Sequence, residues 1–249
     1  MVSPRYPVVL RERRELAPNT LELTYVREDE APIAYVPGQF FSVDFRHQGE
    51  EKSRSYSAAG RVTDLKQNRE FRFAITAVPN GAASGYFFNA EPGDRAKISG
   101  PFGALVLPRV DPRRYLLVGT GTGVAPYRTM LPELEQRMQA NPQLKVDLVM
   151  GVRTPAELIY GGEFEAMARR YPGFRFHACY SREMPVAPAE HEHAGRVQVV
   201  YENLEPDPER DMVYLCGNPQ MVDESSEWFS ERAFSAKNLK RERYKFSTF

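Results

Sequence analysis

Tyr115-Leu116-Leu117-Val118-Gly119-Thr120-Gly121-Thr122-Gly123-Val124-Ala125-Pro126 is the stretch that decides the fold. The unbroken apolar run at its start describes a short strand buried on both faces. The alternating glycines Gly119, Gly121 and Gly123 then lead into a helical segment over residues 124–139. A glycine turn between a buried strand and a helix presents backbone N–H groups at a helix N-terminus, where phosphate binds. The spacing is not the G-x-G-x-x-G of dehydrogenases, because the sixth position from Gly119 is Val124 and from Gly121 it is Pro126.

Downstream the alternation continues. Strands are expected at 146–150, 174–180 and 212–216, and helices at 163–170 and 219–232, which is the rhythm of a parallel α/β sheet. Upstream the rhythm differs. Short β-branched or aromatic runs at 8–10, 21–26, 40–45, 53–58 and 71–78 are separated by Pro18-Asn19, Pro37-Gly38 and Pro79-Asn80-Gly81. Closely spaced strands of this kind predict a small antiparallel barrel, interrupted by one helix over 82–89. Pro108, Asp111 and Pro112 make a stiff connector, so the expected domains are 1–109 and 110–249. The proline-rich stretch 184–193 reads as a surface loop.

The chain of 249 residues has room for two domains, and 42% hydrophobic with 27% charged residues describes a globular protein. Its 33 basic and 33 acidic side chains cancel, which argues against nucleic acid or an anionic membrane as the main partner. Residues 237–245 carry Lys237, Lys240, Arg241, Arg243 and Lys245 against Glu242 alone. That run is either a solvated edge or a docking surface for an acidic carrier protein. Cys179 and Cys216 are the only cysteines, too few for a four-cysteine iron–sulfur cluster. A disulfide between them would need an oxidising compartment. No run approaches the roughly 18 apolar residues of a membrane span, and Met1-Val2-Ser3-Pro4-Arg5 lacks an apolar signal core. The expectation is a cytoplasmic protein with reduced thiols. His47, His177, His191 and His193 show no metal spacing with a third ligand, so no metal is expected.

Arg54-Ser55-Tyr56-Ser57 would lie on a barrel strand, with Arg54 and Tyr56 on one face by the two-residue alternation. An aromatic ring beside a guanidinium suits a flavin and its pyrophosphate. Gly81-Ala82-Ala83-Ser84 would open the following helix, where amides and the Ser84 hydroxyl can hold phosphate. Alone, such a tetrapeptide is an ordinary strand. Followed in order by Gly100-Pro101-Phe102-Gly103, the glycine turn after Val118 and Tyr214-Leu215-Cys216-Gly217-Asn218-Pro219, it resembles the ferredoxin–NADP reductase family, bacterial members included.

The resemblance implies FAD on Arg54, Ser55, Tyr56 and Ser57, on Ile75, Thr76 and Ala77, and on Ala82, Ala83 and Ser84, with residues 100–103 closing the barrel. It implies NADP on Thr120, Gly121, Thr122, Gly123, Cys216 and Gly217. Ser57, Cys216 and Glu242 would surround the hydride-transfer contact. Plant-type members end in a tyrosine two residues after a glutamate. Glu242-x-Tyr244 fits that spacing, but residues 245–249 follow, so Tyr244, Phe246 or Phe249 could stack on the flavin.

Charge bears on the choice of nucleotide. NAD sites present a carboxylate to the ribose diol, whereas NADP needs cations for its 2′-phosphate. Arg153 and the Ser181-Arg182 pair would emerge at carboxyl ends of parallel strands, and Arg196 is a third candidate. Singly, each arginine reads as a surface residue. Asp147 and Glu157 are the only nearby acids, and Asp147 falls inside its strand. The reading is therefore an FAD-containing, NADPH-dependent reductase working with ferredoxin or flavodoxin as a separate carrier. Alternatives are the reductase component of an oxygenase, many of which carry a fused iron–sulfur domain, and a non-catalytic NADP-binding regulatory module.

Overall fold

The computed structural model describes residues 4–64 and 66–244. Its first part comprises β1 (Arg5–Ala17), β2 (Thr20–Arg27), β3 (Phe40–His47), β4 (Glu50–Ser57), β5 (Glu70–Thr76), helix α1 (Ala82–Phe87) and β6 (Arg95–Phe102). These strands form a six-stranded sheet in the order β4-β3-β6-β1-β2-β5, and every pairing is antiparallel. The two outer strands approach each other. Ala58, just beyond β4, bridges Phe73 of β5, and the Ala59 N–H donates to the Arg72 carbonyl at 2.8 Å. That bridge curls the sheet into a barrel.

Local sequence explains the tight corners. Gln48 and Gly49 join β3 to β4 with φ of 51° and 83°, both left-handed, as a two-residue hairpin matched to the strand twist requires. Inside the barrel, Tyr25, Phe41, Phe71, Phe73 and Phe87 are almost wholly buried. Phe41 and Phe71 pack edge to face at 5.0 Å, a favoured arrangement of aromatic quadrupoles.

The second part comprises β7 (Arg114–Thr120), α2 (Ala125–Ala140), β8 (Lys145–Val152), α3 (Gly161–Arg170), β9 (Phe174–Tyr180), β10 (Glu192–Ala194), α4 (Tyr201–Leu204), β11 (Asp211–Gly217), α5 (Pro219–Ser230) and β12 (Leu239–Arg243). Its sheet has the order β10-β9-β8-β7-β11-β12 and is parallel throughout. The central strands are buried along nearly their whole length, which accounts for their continuous apolar sequence.

Two strands lie where the sequence suggested other things. The motif at 100–103 is not only a turn, since β6 runs up to Phe102. The basic run beginning at Lys237 contains β12, an outer strand in register with β11. The stretch 184–193 is loop up to β10, which starts at Glu192.

Residues 4–64 and 66–107 together with Ala125–Pro132 form one compact unit, and Pro108–Val124 with residues 133–244 form the other. Within the first unit, Arg128 donates to Glu22 at 3.0 Å and to the Ala59 carbonyl at 2.6 Å. Among the described residues, no helix is long and apolar enough to cross a membrane.

Candidate functional site

On the barrel, Arg54 and Tyr56 are partly buried while Ser53 and Ser55 between and before them are exposed, so the expected alternation holds along β4. The Tyr56 ring meets Phe87 edge-on at 5.4 Å and Phe73 at 6.2 Å. Burial raises the Tyr56 hydroxyl well above its ordinary range, and the nearby Arg54 charge works in the opposite direction. Ser57 is buried at the end of the strand.

Ser84 is already engaged: its Oγ accepts from the Val78 N–H at 2.7 Å. The hydroxyl still has its own proton to donate. Gly81 stands at the N-cap of α1, where an added Cβ would lie 3.1 Å from the Val78 carbonyl oxygen. Ala82 is buried and Ala83 partly so. Ile75 departs from the expected lining role, because its side chain is 2% exposed within the barrel core. Only its main chain can face a ligand. Thr76 is exposed and shares a 3.0 Å contact between hydroxyl groups with Thr20, and Ala77 is partly buried beside it. A phenol ring, a guanidinium and a hydroxyl donor form a set that fits a flavin and its phosphates.

The glycine turn follows β7 as a single tight helical turn, Gly121–Val124, that runs directly into α2. Gly123 of this turn, and Gly217 facing it, are dictated by close contacts between the two turns. A Cβ on Gly123 would overlap the Cys216 carbonyl, and one on Gly217 would stand 2.6 Å from Thr120 Oγ1. Gly217 also has φ of 127°. Thr120 Oγ1 accepts from the Asn218 N–H at 3.0 Å, which ties the turn after β7 to the turn after β11. Around Gly121, by contrast, an added Cβ would meet nothing within 4 Å. An open glycine turn at a helix N-terminus fits a phosphate group.

Cys216, Glu242 and Tyr244 come together here. Cys216 and Glu242 are register partners in β11 and β12. Burial pushes the Cys216 thiol well up, and Glu242 adds to the shift, while a hydrogen bond with Tyr244 opposes it. The thiol is therefore protonated and uncharged. Tyr244 donates from its hydroxyl to the Thr122 carbonyl at 3.1 Å, and its N–H bonds the Gly217 carbonyl at 2.9 Å. Phe246 and Phe249 lie outside the described residues.

The candidate 2′-phosphate ligands gather at the carboxyl ends of β8 and β9. The Ser181 and Arg182 N–H groups bond the carbonyls of Val152 and Arg153, each at 3.0 Å, and Ser181 Oγ contacts the Val152 carbonyl at 3.3 Å. Arg153 is paired with Glu157 at 2.5 Å, and Arg196 lies 3.6 Å from Glu224. Glu224 also accepts from Gln198 and Gln220. The sequence reading gave neither glutamate a role, although the spacing Arg153-x-x-x-Glu157 was there to be read. Asp147 is fully buried and bonded to Arg175 at 2.6 and 2.8 Å.

The family model described as "Oxidoreductase FAD-binding domain" matches residues 7–107, and "Oxidoreductase NAD-binding domain" matches residues 117–227. The chain is 30% identical to ferredoxin–NADP reductase B of Sorangium cellulosum over 84% of each protein. It is 28% identical to the toluate 1,2-dioxygenase electron transfer component of Pseudomonas putida, over 96% of this chain and 67% of that one. The crystal structure of the Amycolatopsis cytochrome P450 reductase GcoB superposes with a TM-score of 0.83 at 26% identity, covering all of this chain and 72% of that one. The fold and the two matched domains define an FAD- and NAD(P)-binding oxidoreductase. The chain belongs to the ferredoxin–NADP reductase family.

Proposed function

We propose that this oxidoreductase uses NADPH to reduce a separate one-electron carrier protein, ferredoxin or flavodoxin, through FAD, in the cytoplasm. The observation that carries the nucleotide assignment is the joining of Ser181-Arg182 to Val152-Arg153 by paired main-chain bonds, which sets two guanidinium-bearing residues at one end of the sheet. Cations there suit a 2′-phosphate. The name of the Sorangium relative supports the carrier class.

Residues 1–109 hold the flavin and residues 110–249 the nicotinamide nucleotide in this reading. Arg54, Ser55, Tyr56, Ser57, the main chain of Ile75 with Thr76 and Ala77, and Ala82, Ala83 and Ser84 bind FAD. Thr120, Gly121, Thr122, Gly123 and Gly217 bind the nucleotide near its pyrophosphate, and Arg153, Ser181, Arg182 and Arg196 bind its phosphorylated ribose. Bound FAD supplies the ability to take a hydride and release electrons singly. Ser57 serves the flavin side of that transfer, and Cys216 with Glu242 the nicotinamide side. A protonated, buried Cys216 offers the nicotinamide a neutral neighbour, so no negative charge on sulfur is added beside it.

A second reading, the reductase component of an oxygenase, is favoured by the match of 96% of this chain to the toluate dioxygenase component. Stopped-flow reduction of purified ferredoxins, a flavodoxin and an oxygenase component separates the two. Fast NADPH-driven reduction of ferredoxin or flavodoxin supports the first, and reduction of the oxygenase component alone supports the second.

A further inference from the structure

The paired arginines are not equivalent, and the difference lies in Glu157. Glu157 sits on a tight turn, Pro155–Glu157, that follows β8 directly. It accepts from the Arg153 side chain at 3.1 Å and from the Arg153 main-chain N–H at 3.0 Å, with a further ion-pair contact at 2.5 Å. One carboxylate thus takes both the guanidinium and the amide of the same residue. Partial burial acts to raise this carboxyl, but the bonds from Arg153 and the charge of Arg182 outweigh it, so Glu157 is held low and ionised. Arg182, by contrast, has no carboxylate within ion-pair distance among the described residues.

We propose that Glu157 is a specificity-determining residue that restrains the preference for a 2′-phosphorylated nucleotide, by holding Arg153 in an ion pair and placing a fixed negative charge beside the phosphate position. The inference rests on the proposed seat of the adenosine ribose at Arg153 and Arg182. A dianionic 2′-phosphate there meets one unengaged guanidinium, one already neutralised, and a carboxylate that repels it. A 2′-hydroxyl meets none of that repulsion, and the Glu157 carboxylate can accept a hydrogen bond from it. The site is therefore less exclusive for NADP(H) than its arginines alone would make it. Glu157 also positions Arg153, because the same oxygen that takes the side chain fixes the main-chain N–H.

The test measures NADP⁺ and NAD⁺ binding to the FAD-loaded protein by difference spectroscopy, for wild type and the variants Glu157→Gln and Arg182→Gln. Glutamine keeps an acceptor for the Arg153 N–H but removes the charge. Glu157→Gln is expected to tighten NADP⁺ binding by about three- to tenfold and to change NAD⁺ by less than about twofold, as loss of one partly screened charge repulsion implies. The effect on NADP⁺ shrinks as ionic strength rises. An unchanged NADP⁺/NAD⁺ ratio in Glu157→Gln, with a selective NADP⁺ loss in Arg182→Gln, overturns the role of Glu157 and leaves the seat of the phosphate intact. No selective NADP⁺ loss in Arg182→Gln overturns the seat itself. Should Glu157→Gln bind neither nucleotide, Glu157→Asp, which keeps the charge and shortens the reach, separates positioning from charge: binding restored at the wild-type ratio supports the role of the charge, and any other outcome overturns the proposal.

Discussion

The Tyr244 hydroxyl donates to the Thr122 carbonyl at 3.1 Å, so the residue just beyond the last strand closes onto the glycine turn after β7. Tyr244, Phe246 or Phe249 was expected on the flavin; the Tyr244 hydroxyl is held by the turn after β7. Tyr244→Phe should cost about 0.5–1.5 kcal/mol of stability by removing that bond, measured by urea unfolding, while the bound-flavin spectrum stays unchanged. A shifted flavin spectrum in this variant would instead place the ring against the isoalloxazine. Deleting residues 245–249 tests Phe246 and Phe249 in the same assay: weaker FAD retention marks an anchor, and tighter NADP⁺ binding marks a lid.

The barrel face predicts a yellow protein with non-covalently held FAD. Arg54→Gln leaves the Tyr56 contacts to Phe73 and Phe87 in place, so folding should survive. Loss of a charge-assisted bond to phosphate is expected to weaken FAD binding about ten- to hundredfold, read by flavin fluorescence after dilution. Unaltered retention would remove Arg54 from the site.

Arg182 provides the nucleotide prediction. Arg182→Gln should raise the KM for NADPH by about one to two decades and leave that for NADH nearly constant, since a charged hydrogen bond to phosphate is worth roughly 1.5–3 kcal/mol. Steady-state carrier reduction with both nucleotides checks it. Equal losses would assign Arg182 another purpose.

Asp147 makes a prediction about acid stability. Burial acts to raise its carboxyl, but bonds to His177 and Arg175 prevail and lower it. A folded-state value below the ordinary carboxylate value of about 3.9 stabilises the fold above that pH, and the contribution is lost as pH falls through the lower value. Asp147→Asn should therefore cost about 1.5–3 kcal/mol near neutrality and lose progressively less as the medium becomes more acidic. Urea midpoints across that range check it. A constant difference down to strong acid would contradict the linkage.

What was legible in the sequence follows from burial. β7, β8, β9 and β11 are apolar because both faces are covered, and Gly123 and Gly217 are forced by close contacts between the two turns, so strands and turn could both be read directly. β6 and β12 were hidden for the opposite reason. Arg95, Lys97, Arg241 and Arg243 are exposed, and pairing to neighbours, more than apolar burial, orders these strands. Half of β1 carries charged, exposed side chains and escaped notice likewise. In the candidate site, the arginines were visible by their place after strands. Glu157 was visible as an acid four residues after Arg153, though its pairing was not drawn; Glu224, the distant partner of Arg196, was not, because that pairing depends on how the turns bring side chains together.

The outer strand β12 has a consequence beyond any carrier. A parallel sheet whose terminal strand is exposed can recruit a further strand from another molecule, and lysine or arginine along such a border discourages it. Lys240, Arg241 and Arg243 stand on that border, and at the opposite border β10 is only three residues long. By that rule the basic run near the C-terminus is expected to discourage sheet-to-sheet aggregation. Neutralising it should lower the concentration at which the protein remains dispersed, whether or not a carrier ever docks there.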